Sequence, residues 1–113
     1  MKVYRQGDVV LIPISQYELP IAAKRQKGKL IRKGEHGGLH QLSKESKAAI
    51  LNAKAYRSWG VERGKTKFVQ VATKAGADVV HGEHGTVHLP KGTYEVRIQR
   101  EGAGALRSRE VVD

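Results

Sequence analysis

Thr93-Tyr94-Glu95-Val96-Arg97-Ile98-Gln99-Arg100 alternates apolar and polar side chains along its length. A period of two marks a strand with one apolar and one wet face, and places Tyr94, Val96 and Ile98 together. Pro90-Lys91-Gly92 ahead of it reads as a turn, because proline presets φ and glycine accepts positive φ. Val9-Val10-Leu11-Ile12, between Gly7-Asp8 and Pro13, reads as a short buried strand. Residues 68–72 and 78–81 read as two more, joined through Lys74-Ala75-Gly76. An edge strand is expected within 105–112. The segment 43–60 stays open. Ser43 as N-cap and Gly60 as stop allow a short helix with Leu51, Ala55 and Trp59 on one face. Tyr56, Trp59 and the β-branched segments on either side favour a pair of strands. The expected fold is all-β, a small antiparallel β-barrel or sandwich formed by residues 1–113 as a single domain.

One hundred and thirteen residues suffice for one such core. No stretch reaches the roughly 20 apolar residues of a membrane-spanning helix. The start, Met1-Lys2-Val3-Tyr4-Arg5-Gln6, lacks the apolar run of a signal peptide, so a cytoplasmic protein is expected, or one made in a host cytoplasm. The absence of cysteine excludes disulfides and thiolate metal sites.

All 5 histidines fall in or beside two copies of G-E-H-G-x-x-H. These are Gly34-Glu35-His36-Gly37-Gly38-Leu39-His40 and Gly82-Glu83-His84-Gly85-Thr86-Val87-His88, with His81 just before the second. Neutral imidazole is the commonest ligand for borderline metals. The repetition suggests two structurally equivalent positions. In an extended strand, residues four apart lie about 13 Å from each other, too far to share one ion with bonds of about 2 Å. Ligands are therefore expected from both motifs, with a bulge at Gly82 turning His81 and His84 inward. The candidate metal ligands are His40, His81, His84 and His36. Glu35 and Glu83 are candidates for orienting a ring or for acid–base work. Zn, Fe and Mn all suit such a donor set.

Twenty-one Lys and Arg against 11 Asp and Glu give a formal charge of +10. Such a field attracts polyanions. The densest run is 24–33, where Lys24, Arg25, Lys27, Lys29, Arg32 and Lys33 are candidate nucleic-acid contacts, with Tyr56 or Trp59 available for stacking.

Several stretches resemble a group of small uncharacterised phage and actinobacterial proteins. They are the opening Arg5-Gln6-Gly7-Asp8-Val9-Val10-Leu11-Ile12-Pro13, the central His40-Gln41-Leu42, His81-Gly82-Glu83-His84-Gly85, and Leu89-Pro90-Lys91-Gly92-Thr93-Tyr94 with Val96 to Glu101. The resemblance implies a cupin-like barrel and no particular activity. That group carries His-x-His where this chain has Gly38-Leu39-His40, which leaves His36 as the substitute ligand and His88 as the weakest candidate. The downstream Glu and His of an enzymatic cupin have no counterpart.

Three readings follow. The first is a basic β-barrel with a divalent-metal site. The second is a nucleic-acid-binding module or small nuclease using 24–33. The third is a virion or interaction protein that self-associates through edge strands. Without a nucleophile–base pair, binding ranks ahead of catalysis.

Overall fold

The computed structural model describes residues 2–34, 38–58, 60–99 and 110–112, with Ser58 and the last three described by backbone alone. Short β-branched and aromatic runs, punctuated by Gly, Pro and Asp, form the strands. They are β1 (Lys2–Gln6), β2 (Val9–Ile14), β3 (Lys24–Arg25), β4 (Leu30–Lys33), β5 (Leu39–Leu42), β6 (Ala48–Ala53) and β7 (Tyr56–Ser58). β8 (Val61–Arg63), β9 (Thr66–Val71), β10 (Ala77–Val80), β11 (Val87–Leu89), β12 (Gly92–Ile98) and β13 (Glu110–Val112) complete the set. One turn of 3-10 helix at Gln16–Glu18, closed by a Ser15–Glu18 capping box, is the helical element among the described residues.

A 7-stranded sheet runs β13-β1-β2-β12-β9-β6-β3, and a 4-stranded sheet runs β11-β10-β5-β4. β7 and β8 form a separate hairpin. The main core lies between the two larger sheets. Val9, Leu11, Ile50, Val69 and Tyr94 from one meet Ile31, Leu42, Val79 and Leu89 from the other. This all-β fold of packed sheets falls within the barrel-or-sandwich class that the alternating pattern predicts. The segment 43–60 contributes β6 and β7, so the helical alternative gives way to strands. Leu51 pairs with Phe68 across β6 and β9 instead of stacking on Ala55 along a helix.

The strand pairs are antiparallel, as expected, apart from the edge strand β13, which lies parallel to β1. One expectation needs correction: the second face of β12 is not wet, since Glu95 is 0 % exposed and Arg97 is nearly buried. Arg97 Nε donates to Glu95 Oε2 at 2.8 Å, and Arg63 Nε stands 3.7 Å from the same oxygen. Tyr56 and Phe68 pack edge to face at 4.8 Å on this side of the sheet, which leaves Tyr56 buried and unable to stack on a ligand base. Charged side chains mimic a solvated face in sequence, and only their pairing lets them be covered.

The smaller sheet positions both heptapeptides. β5 is antiparallel to β4 and to β10, so β4 and β10 run in the same direction. The loops that follow them, after residues 33 and 80, therefore leave the sheet at the same end. The described residues of the two motifs lie on these loops or on the strands β5 and β11 that follow them, and Gly34, Gly38, His40, Glu83 and His84 among them meet Asp8 of the β1–β2 turn.

Candidate functional site

The β1–β2 turn is tight because Gly7 adopts φ +59, which places Gln6 and Asp8 on either side of it. Gln6 is buried. Its Nε2 donates to the carbonyls of Val79 and Gly85, both at 2.9 Å. A side-chain amide with both hydrogens committed offers only its oxygen elsewhere. That oxygen lies 2.9 Å from His40 Nδ1, so Nδ1 is the protonated, donating nitrogen. His40 Nε2 then carries the lone pair of the neutral ring, and it faces Asp8 Oδ1 at 3.2 Å. Two acceptors at that distance repel each other unless a proton or a metal ion stands between them. Burial pulls the His40 pKa below its ordinary value, and the neighbouring His81 and His84 add to this, with Asp8 opposing.

His81 and His84 arrive from the second loop. His81 Nδ1 accepts the backbone N–H groups of Glu83 at 2.9 Å and of His84 at 3.2 Å. This ring-to-backbone turn, in place of the expected bulge, folds residues 81–84 so that the two ring centres lie 4.6 Å apart. The His40 ring centre is 4.4 Å from that of His81 and 6.2 Å from that of His84. Bare backbone supplies the remaining walls. A Cβ on Gly34 would lie 3.3 Å from His81 Nε2 and 3.5 Å from His40 Nε2, so both nitrogens face one space. A Cβ on Gly38 would fall 2.1 Å from His81 Cε1, and one on Gly7 would fall 2.7 Å from His84 Nε2. The cavity enclosed by these groups and Glu83 is about 100 Å³.

Three of the four candidate histidines thus converge, and Glu83 lines the same cavity. His36 and Glu35 lie outside the described residues. His88 stands apart on β11, opposite Asp78, and contacts its carboxylate at 2.7 Å. The two heptapeptides are therefore equivalent in topology but not in role, since His40 is buried and its counterpart His88 is exposed. Among the described residues no three His, Asp or Glu side chains already stand in ligating positions around one point.

Asp8 and Gln6 are site residues that a search for histidine spacing misses. Their signal lay in the Gln6-Gly7-Asp8 turn at the head of the chain. The basic run is divided by the fold. Lys24 and Arg25 pair with β6 in the large sheet, whereas Arg32 and Lys33 pair with β5 in the small one. Arg32 Nε sits 3.4 Å from Asp8 Oδ2, and neither atom has a hydrogen-bond partner among the described residues.

A family model described as "Domain of unknown function (DUF8820)" matches residues 5–99. The chain belongs to this family. The match takes in Gln6, Asp8 and both histidine loops, so the whole site lies within the family's domain. No curated protein and no solved structure matches the chain.

Proposed function

We propose that this domain binds one divalent borderline metal, of the Zn, Fe or Mn class, between Asp8 Oδ1 and His40 Nε2. The observation that carries the reading is the contact between these two acceptors at 3.2 Å. Tetrahedral bonds of about 2.0–2.1 Å hold neighbouring ligand atoms about 3.3 Å apart, so an ion fits this gap with little rearrangement. Gln6 fixes the His40 tautomer from behind, the arrangement that commonly orients a ligating imidazole.

His84 is the third ligand, because among the described residues neither of its ring nitrogens is held in a hydrogen bond. His81 is different. Its Nδ1 is occupied by two amides, so its neutral ring carries hydrogen on Nε2, which faces the same space. In that form His81 donates to whatever oxygen ligand takes the open position. Three protein ligands, an open position and a nearby donor suit binding and polarising a small oxygen-bearing molecule.

The test is calorimetric titration of zinc into the untagged, chelator-stripped chain. The wild type takes up one equivalent, and Asp8→Asn and His40→Ala each weaken binding by about 100-fold or more. His88→Ala leaves it unchanged. Equal loss in His88→Ala and His40→Ala, or no loss in Asp8→Asn, overturns this ligand set.

A further inference from the structure

The edge of the large sheet, remote in function from the histidine cavity, carries a second unassigned surface. Two cavities lie along β6 on either half of its length. One, about 510 Å³, is lined by Arg25, Lys27, Lys29 and Lys47 over Ala48 and Ile50. The other, about 730 Å³, is ringed by Lys24, Lys54, Lys65 and Lys67 over Ala22, Ala53 and Ala55. No acidic side chain among the described residues lines either one. Nor is any of these cations ion-paired with a carboxylate among the described residues. Gln26 lines the first cavity and links it to the second, since its Oε1 accepts from Asn52 Nδ2 at 3.2 Å and from Lys67 Nζ at 3.0 Å, both of which line the other.

Lysine on an edge strand ordinarily guards against pairing with another chain. That role accounts for Lys24 and Arg25, which form the edge strand β3. It does not account for Lys47, Lys54, Lys65 and Lys67, which come from other segments and line cavities. Lys67 is half-buried, and burial lowers the pKa of its ammonium, with no carboxylate among the described residues paired to it to offset the cost.

We propose that this edge is a binding track for single-stranded nucleic acid, with phosphates along the lysine rim and unstacked bases on the apolar floors. The charge complementarity fits a polyanion, and β6 gives the track a length of about 20 Å. The floors decide between single and double strands. A duplex hides its bases and has nothing to place against alanine, whereas a single strand presents them. Ile21, fully exposed and adjacent to Ala22 of the floor, adds apolar surface at one end. The track depends on neither a metal nor the histidines.

Fluorescence anisotropy of the full chain with a labelled oligo-dT of about 12 nucleotides tests this, run with chelator and against a duplex of equal length. The single strand binds at least about 10-fold tighter than the duplex, and the logarithm of affinity falls linearly with that of salt. Lys54→Glu and Lys65→Glu each weaken binding about 5- to 10-fold, while the charge-matched Lys2→Glu on the far side of the sheet stays within about twofold. Ala55→Asp, which charges an exposed part of the floor, also weakens it. Equal losses in Lys2→Glu and Lys65→Glu would reduce the effect to net charge and overturn the track. Duplex binding as tight as the single strand, or no detectable binding at low salt, overturns it as well.

Discussion

Gln6 Oε1 accepts from His40 Nδ1 at 2.9 Å and thereby turns the other nitrogen of that ring, as an acceptor, toward Asp8. The contact spans 34 residues of sequence and joins the end of β1 to β5, the strand that follows the first histidine loop. The same Gln6 amide ties down the carbonyls of Val79 and Gly85, which flank the second loop. One buried side chain thus registers all three segments of the site.

Replacing Gln6 has two separable consequences. Gln6→Ala frees both His40 tautomers and should weaken zinc binding by about 10- to 100-fold. It also strands two carbonyls and a ring nitrogen, so urea unfolding should show a loss of about 1–3 kcal/mol. Gln6→Glu keeps an acceptor for His40 but removes the two donors, and should retain more affinity than Gln6→Ala.

Gly34 tests whether the space shared by His40 and His81 is used. A methyl group there would sit 3.0 Å from Gly38 O, which must shift by a few tenths of an ångström, and 3.3–3.5 Å from both Nε2 atoms. Gly34→Ala should therefore lower metal affinity by about 10-fold or more while the chain still unfolds cooperatively. Gly38→Ala strikes His81 directly, and the chemical shifts of that ring should move far more than those of His88.

Glu95 sits fully buried on the covered face of β12, with Arg97 donating to it at 2.8 Å. Removing one member of a buried ion pair leaves the other charge uncompensated. Glu95→Ala should cost about 3–5 kcal/mol in chemical denaturation, and the metal affinity of the folded fraction should be unchanged.

Tyr94 supplies the pH dependence. Burial, and to a lesser degree Tyr4, push its hydroxyl up to about 12 from 10.0, and the hydroxyl donates to Pro90 O at 2.5 Å. The folded chain keeps a proton that the unfolded chain releases near pH 10. Its contribution is fully present below pH 10 and is lost as the pH rises toward 12. Ultraviolet titration should show Tyr94 ionising late, as should Tyr56, whose hydroxyl burial also pushes up, and Tyr94→Phe should reduce that alkaline loss.

Much of the architecture was legible in the sequence. The period of two in β12 and the β-branched run of β2 identified central strands, and the histidine motifs pointed to His40, His81 and His84, which do converge. Other features resisted reading for physical reasons. Glu95 and Arg97 look like a solvated face because pairing across a sheet leaves no local trace. The run 24–33 looks like one basic patch, yet strand pairing sends its two ends to different sheets. Lys47, Lys54, Lys65 and Lys67 are scattered in sequence and join Lys24 and Arg25 only when β9, β6 and β3 align. Asp8 escaped notice because a lone carboxylate in a turn is unremarkable until the fold brings His40 to it.

Metal content measures the central claim most directly. The full chain, purified without a polyhistidine tag and dialysed after exposure to zinc, iron or manganese, should retain about one equivalent of one of them by elemental analysis. His40→Ala treated identically should retain almost none. Retention below about 0.2 equivalents for all three metals, with the chain folded, would contradict the account.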